Sequence, residues 1–332
     1  MIEVIAEAGV NHNGRLVNAL KLVDVARRAG ADVVKFQAAV PELVVSRLAE
    51  QAPYQIRNTG KIESQLDMLK RIHLPLTDFE KIKLHCDDVG IEFMCTAFDF
   101  ESFRVIDELG VNRHKIPSGE VTNKPFLELI GLSKKPLIIS TGMASISEVS
   151  ECLQVVFADR PRRNLKLLHC VTQYPAQFRD SNLRSLATLK ETFACDVGYS
   201  DHSVGNTTAL VALGLGAILF EKHFTLDQNQ PGPDHKASAS PEGLSSYVSV
   251  LRSAAMSLGD GIKKIAPGEV ENLAVARRSI CAAREIRAGS KINAKDLVCL
   301  RPGVGISPMR INEIIGTSAV VDFKIGDLIR IE

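Results

Sequence analysis

Eight short apolar runs in this 332-residue chain each end on side chains that donate, accept or ligate. "EVIAE" (3–7) reaches Glu7. "DVVKFQ" (32–37) carries Lys35 and Gln37, and "IEFMCT" (91–96) ends at Thr96. "HKIPS" (114–118) carries Lys115 and Ser118, with Glu120 just beyond. "LIIST" (137–141) ends in Ser140 and Thr141. "LKLLHC" (165–170) leads to Thr172 and Tyr174, and "DVGYS" (196–200) to Ser200, Asp201 and His202. "AILFEKH" (217–223) carries Glu221 and His223. Two lysines among hydroxyls and amides make a pocket for phosphate or carboxylate, with the ammonium groups as point charges. Carboxylates beside them can move protons. A lone histidine is more often structural, but His202 and His223 follow one another on neighbouring runs beside Glu221. Two imidazoles with open positions suit Mn, Fe, Co or Zn better than Ca. His169 reads as buried and satisfied, His73, His85 and His114 as surface or supporting groups, and His235 in "GPDH" fits either role. In "IAEAGVNHNG" (5–14), Glu7 through Asn13 read as the rim of the first strand, with Asn13 and Gly14 turning the chain into a helix.

Such groups need a frame. Helical spacing recurs between the runs, at 15–29, 78–89, 101–109, 123–133, 145–157, 182–193, 206–215 and 241–258. Ser145 with Glu148 three residues on makes a capping box. Eight strands alternating with eight helices over residues 1–258 predict a closed (β/α)8 barrel, whose site lies at the C-terminal strand ends. An open doubly wound sheet is the alternative, and it wants a GxGxxG loop that the chain lacks. Residues 38–75 read as a long loop, with aromatic, Asn and Gln content (Tyr54 included) suited to covering a site. Residues 259–276 read as a linker. Residues 277–332 read as a small β-rich domain with a pseudo-repeat, "EIRAGSKI" (285–292) and "DFKIGDLI" (322–329).

Composition narrows the class. Forty basic and 39 acidic residues nearly cancel without charge runs, which argues against nucleic acid or membrane surfaces as partners. No run approaches the roughly 20 apolar residues of a membrane span, and "MIEVIAEAG" is not a secretory signal. Seven cysteines without a CxxC fit reduced thiols in a cytoplasmic protein, with Cys95 and Cys170 in packing roles.

"AEAGVNHNG", "VVKFQ", "KIPSGE", "STGM", "SDHS", "EKHFT", "GPDH" and "RPGVGISP" occur in an order that resembles the N-acetylneuraminate (sialic acid) synthase family. The likeness is to its bacterial members, legionaminic acid synthases included, and spans essentially the whole chain. It implies a (β/α)8 barrel followed by a small antifreeze-like (SAF) domain. The implied reaction condenses phosphoenolpyruvate with an N-acylated mannosamine to a nine-carbon 2-keto acid and phosphate. N-acetylmannosamine is the first sugar expected and 2,4-diacetamido-2,4,6-trideoxymannose the alternative. By the same resemblance His202 and His223 ligate a divalent metal, Mn2+ first, with Mg2+ or Co2+ as alternatives. Lys35, Gln37, Thr96, Lys115, Ser118, Ser140 and Ser200 hold phosphoenolpyruvate. Thr172, where some family members have Asn, is a further contact. Glu120, Tyr174, Asp234 and Arg301 meet the sugar, Arg301 reaching from the small domain of the other subunit in a domain-exchanged homodimer. Glu120 is the expected proton-transfer group for the sugar, and Glu7 or Glu221 for the attacking water. Two rival readings remain. One is a Schiff-base aldolase using Lys35, Lys115 or Lys222; the other is a carbohydrate- or ice-binding protein built on the small domain.

Overall fold

Successive side chains of a strand point to opposite faces, so every second residue of a barrel strand enters the barrel. Eight strands do so here: β1 (Glu3–Gly9), β2 (Val33–Ala38), β3 (Glu92–Ala97), β4 (His114–Ile116), β5 (Leu137–Ser140), β6 (Leu165–Cys170), β7 (Asp196–Asp201) and β8 (Leu219–His223). The computed structural model describes residues 2–159, 161–162 and 164–331, with backbone alone at 53, 54 and 57, so the Tyr54 side chain lies outside the described part. The strands pair in parallel in the order β3-β2-β1-β8-β7-β6-β5-β4. The two ends of that ladder, β3 and β4, lie alongside each other with Cα atoms within 8 Å. This is the expected (β/α)8 barrel.

Its interior is layered two residues at a time. At the N-terminal end, Arg113 bonds to Glu3 and Glu92, and Lys166 to Glu3 (2.9 Å). Above them Ile5, Val33, Met94, Ile138, Leu168 and Leu219 form an apolar cluster of their own. Gly198 belongs to this level because a Cβ there would lie 2.3 Å from the Leu219 carbonyl oxygen. Two residues further along each of the six strands stand Glu7, Lys35, Thr96, Ser140, Cys170 and Glu221, a polar layer resting on an apolar floor. The alternate residues, such as Val4, Ala6, Val34 and Phe36, face outward into the core beneath the helices.

The eight main helices, Leu16–Arg28, Asp78–Val89, Phe100–Glu108, Lys124–Leu132, Ile146–Val156, Ser185–Phe193, Thr207–Gly214 and Pro241–Ser257, start and end within three residues of the bounds predicted. The Ser145 capping box forms as expected, with Ser145 N–H donating to Glu148 (2.7 Å).

Three expectations are corrected. β4 stops at Ile116, and Ser118–Glu120 forms a 3-10 turn, since Pro117 has no N–H to continue the ladder. The long loop at 38–75 contains helices Pro41–Val44, Pro53–Thr59 and Gln65–Ile72. Proline opens the first two. Gly60 ends the second in the left-handed region (φ 65°), and Ser64 caps the third by accepting from Asp67 N–H. The stretch read as a linker holds a 3-10 turn, Pro267–Glu269, and a helix, Val270–Ala276.

The chain divides into two compact units, Met1–Gly259 and Asp260–Glu332. The second has its own core of Ile280, Ala282, Ile286, Ile292, Ile314, Ala319, Phe323 and Ile329. Its antiparallel pair is β9 (Ser279–Ala282) with β10 (Leu297–Leu300). The two pseudo-repeat segments pair with each other at Ile286 and Phe323, and each turns on a left-handed glycine, Gly289 and Gly326.

Candidate active site

The polar layer opens at the C-terminal strand ends into a cavity of about 160 Å³. All eight residues expected to hold an anionic substrate line it: Lys35, Gln37, Thr96, Lys115, Ser118, Ser140, Thr172 and Ser200. Glu7, Glu221, Tyr174, His202 and His223 line it too. Its volume is below the roughly 300 Å³ at which typical ligand pockets begin, a size suited to a small ligand.

Two buried carboxylates and two buried ammonium groups dominate the floor of this cavity. Lys115 Nζ donates to both oxygens of Glu221 (3.1 and 2.9 Å). Ser200 Oγ donates to the same carboxylate (3.0 Å). Lys35 Nζ pairs with Glu7 Oε2 (2.9 Å), lies 3.8 Å from Glu221 and donates to Thr96 Oγ1 (2.9 Å). Gln37 Nε2 donates to Glu7 Oε1 (2.9 Å). The environment splits the two carboxylates. Burial raises Glu7, with Lys35 opposing and the Glu221 charge adding. Glu221 is lowered: burial pushes it up, and the charges of Lys115 and Lys35 outweigh that. The lysines split as well. Burial pulls Lys115 down with Glu221 offsetting part of it. At Lys35 the charges of Glu221 and Glu7 outweigh burial and raise it.

The layer keeps unused capacity. Ser140 Oγ and His223 Nδ1 are buried and, among the described residues, have no hydrogen-bond partner. His202 and His223 have ring centroids 5.5 Å apart, and Tyr174 packs on both at 4.3 and 5.7 Å. Burial first, then the neighbouring His223, pushes His202 down to about 3. His223 also falls to about 3, through burial and then Lys35. Both rings are therefore neutral at pH 7. His202 Nδ1 donates to the Val171 carbonyl (2.7 Å), which leaves the Nε2 lone pair facing Ser200 Oγ at 3.3 Å. Two neutral imidazoles, one with Nδ1 unpartnered among the described residues (His223) and one whose Nε2 meets only the Ser200 hydroxyl (His202), fit a borderline divalent cation. Among the described residues no cluster of three or more His, Cys, Asp or Glu is placed to hold one.

Three expected sugar contacts lie outside the cavity wall. Glu120 stands half-buried on the 3-10 turn after β4 and accepts from Asn123 Nδ2 (2.6 Å). Burial raises it, with Asn123 offsetting. Asp234 is buried, and burial followed by the Glu7 charge pushes it up to about 7. Arg301 belongs to the second unit, where it is exposed and its Nε donates to the Ala276 carbonyl (3.1 Å).

The opening motif is corrected in part. Glu7 lines the cavity, whereas residues 8–13 do not. Asn11 donates to the Phe224 carbonyl and to Ser238 Oγ (2.7 and 2.9 Å), and His12 is buried with Nδ1 accepting from Gly14 N–H. Asn13 and Gly14 take the left-handed turn predicted for them (φ 52° and 67°). His235, which fitted either role, bonds to Thr225 Oγ1 (2.7 Å) and Asn13 Oδ1 (3.2 Å). These groups brace the β1 loop to the loop after β8. His114 is a buried support against Asp107 (2.9 Å), and His169 donates to the Ser181 carbonyl (2.7 Å).

Sequence reasoning missed Phe98, Pro117, Gly119, Met143 and Cys170 in the cavity wall. Cys170 was read as packing, yet it lies one layer above Leu168 with Sγ 3.3 Å from Ser118 Oγ. Strand period was the signal that could have found it. Gly142 was also missed. Its N–H donates to Ser118 Oγ (3.0 Å), and a Cβ there would lie 2.4 Å from Thr172 Oγ1. Lys222, one of the three Schiff-base candidates, is absent from the wall because it faces the other side of β8.

Comparison with known proteins agrees with the fold and identifies the family. The SAF domain matches residues 277–332. The N,N'-diacetyllegionaminic acid synthase of Campylobacter jejuni is 44% identical over 98% of this chain and 98% of its own. The enzyme of the same name from Legionella pneumophila is 43% identical over 97% and 92%. A crystal structure of N-acetylneuraminic acid (sialic acid) synthetase from Leptospira borgpetersenii superposes with a TM-score of 0.71 at 32% identity, covering 82% of this chain and 90% of that one. The NeuB family matches residues 22–263, across the strands that build the polar layer from Lys35 to His223, and the chain belongs to that family of sugar-acid synthases.

Proposed function

We propose that this enzyme, a phosphoenolpyruvate-dependent sugar-acid synthase, takes 2,4-diacetamido-2,4,6-trideoxymannose as its sugar, with N-acetylmannosamine as the second choice. This reverses the order expected from sequence, and the two relatives named above, each more than 40% identical, support the change. The observation that carries the reading is the buried layer in which Lys35, Lys115 and a ring of hydroxyls surround a cavity fit for one small anion.

Phosphoenolpyruvate fills the cavity, and its phosphate and carboxylate replace the carboxylates now held by the two lysines. The sugar enters above it, against Tyr174, Glu120 and Asp234. The enol carbon then forms a bond to the sugar aldehyde carbon, and negative charge grows on the aldehyde oxygen. His202 and His223 would hold a divalent cation, Mn2+ first, whose chemistry is to polarise that oxygen as a Lewis acid. Attack by the enol carbon leaves the neighbouring carbon, which bears the phosphate oxygen, electron-poor. Water adds there, losing a proton, and the bond from that carbon to the phosphate oxygen breaks to leave the 2-keto group and phosphate. The two carboxylates divide the proton transfers: Glu7, raised by burial, gives its proton to the aldehyde oxygen, and Glu221, once phosphoenolpyruvate takes its place on Lys115, accepts one from the water. Glu120 serves the sugar side.

The proposal includes a cytoplasmic, domain-exchanged homodimer in which Arg301 caps the partner's cavity. All seven cysteines are free, and among the described residues no helix is long and apolar enough to cross a membrane. Phosphate release from phosphoenolpyruvate, measured over a panel of N-acyl mannosamines, tests the reaction. Release is expected only with sugar present and fastest with the diacetamido sugar. Release without sugar, or with none of the panel, refutes it. Chelator should abolish turnover and Mn2+ or Co2+ restore it, with no borohydride-trapped adduct. A trapped adduct would instead favour a Schiff base. For the dimer, Arg301→Ala and His202→Ala chains are mixed under subunit exchange. Recovery towards about a quarter of parent activity, the random share of intact sites, supports action in trans. No recovery in demonstrated heterodimers removes it.

A further inference from the structure

The motifs "SDHS" and "EKHFT" hold two charged residues that the cavity does not use. Asp201 and Lys222 face each other across β7 and β8, each next in sequence to a candidate ligand, His202 and His223. Strand alternation turns them to the outer side of the barrel, and both are buried there. Lys222 Nζ donates to Asp201 Oδ2 (3.1 Å) and to the carbonyls of Ser203 (2.5 Å) and Gly205 (3.3 Å), so its three protons are all engaged. It also lies 5.3 Å from the centre of the Tyr247 ring. The other oxygen, Asp201 Oδ1, accepts from Ser203 N (2.9 Å), Ser203 Oγ (2.7 Å) and Thr208 Oγ1 (3.2 Å). Thr208 sits in the first turn of helix Thr207–Gly214.

The backbone on both sides of His202 is thus tied to β8 and to that helix, while the ring is held through Nδ1 on the Val171 carbonyl and meets Ser200 Oγ at 3.3 Å. A buried ion pair is a poor source of stability, because each ion must be stripped of water and apolar residues of like volume do as well. What the pair supplies is direction. We infer that Lys222 and Asp201 are positioning residues: their knot sets the placement of His202 relative to His223 and so the divalent-cation affinity of the pair. The inference rests on the metal reading above.

Mn2+ affinity of the full chain without substrates, read by electron paramagnetic resonance, tests it. A parent that binds Mn2+ and a His202→Ala variant that does not support the metal reading. A parent that binds none overturns that reading and this inference with it. With a binding parent, Lys222→Met is expected to weaken Mn2+ by about 10- to 100-fold, the usual effect of losing a supporting contact behind a ligand. Turnover should return at saturating Mn2+ with the KM for phosphoenolpyruvate unchanged. Ser203→Ala removes one hydroxyl and keeps the ion pair, so it should shift affinity the same way by less. Parent-like affinity in folded Lys222→Met overturns the inference. If that variant does not fold, parent-like affinity in Ser203→Ala does so. A loss of turnover that saturating Mn2+ fails to rescue also overturns it, because general loosening then explains the result.

Discussion

At the N-terminal end of the barrel Glu3, Glu92, Arg113 and Lys166 bring two negative and two positive groups together; at the C-terminal end Glu7, Glu221, Lys35 and Lys115 bring the same number. The apolar floor of Ile5 and its neighbours separates them. At the first end the side chains stay 13–27% exposed and Arg113 is shared between two carboxylates. At the second they are 5% exposed or less, and Ser140 Oγ and His223 Nδ1 lack partners among the described residues. Equal charge therefore does not mean equal purpose. Water screens the lower cluster and its bonds are made, so it closes the barrel. The upper cluster is buried and keeps polar atoms without partners among the described residues, which is the condition for binding something else. A ligand with a phosphate and a carboxylate adds negative charge to a layer already balanced, and on the proposed reading a cation held by the two neutral imidazoles matches it.

The comparison breaks most sharply through the lysines. Lys35→Ala or Lys115→Ala is expected to lower kcat/KM for phosphoenolpyruvate by on the order of 10²–10³, with far less effect on the KM of the sugar. Steady-state kinetics with each substrate varied will show it, and equal effects on both substrates would misplace these residues. Arg113→Met at the opposite end should cost about 1–3 kcal/mol of stability, between the values for exposed and fully buried pairs, and leave kcat untouched. Denaturant unfolding beside turnover checks this, and a matching loss of turnover would erase the distinction between the ends. Ser140→Ala should separate function from stability. Removing a buried, unsatisfied hydroxyl is expected to leave stability unchanged or raise it by about 1 kcal/mol, while phosphoenolpyruvate binds more weakly. A destabilised variant with normal binding would count against it.

The smallest effect concerns pH. Glu3 lies below its ordinary value of 4.5: burial pushes it up, and Arg113 and Lys166 outweigh that. The unfolded chain then binds more protons than the folded one in this range. Its contribution is full above 4.5 and is lost as pH falls through the folded value. Glu7 lies above 4.5 through burial, so its contribution has the opposite sign: fullest below 4.5 and declining as pH rises through the folded value. Glu3→Gln should flatten the acid limb of a melting-temperature profile, and Glu7→Gln should not. An unchanged acid limb in Glu3→Gln would remove the lower cluster's role.

Much of the site was legible because a parallel barrel strand is read in steps of two. Apolar residue and reactive residue alternate with position in Ile5–Glu7, Val33–Lys35 and Leu219–Glu221, and barrel topology brings those ends to one mouth. The helices between them were legible because each buries a stripe of fixed period. The short helices of 38–75 were not. Their cues are single Pro, Ser and Gly residues at the ends rather than a repeated pattern, and four to eight residues hold too little period to read.

By itself, the sequence determined the barrel, its small second unit and the chemical types gathered at the strand ends, since strand and helix periods and strand-end composition are local properties of the chain. Only the tertiary structure decided how those groups divide. Lys35 and Lys115 turn inward and Lys222 outward because the pleat gives each position one face. Asn11, His12 and His235 became a brace rather than a rim because the loop after β8 folds against them. Glu7 and Glu221, identical in sequence terms as strand-end carboxylates, were driven apart by which lysines stand nearest, a matter of a few ångströms that no linear spacing records.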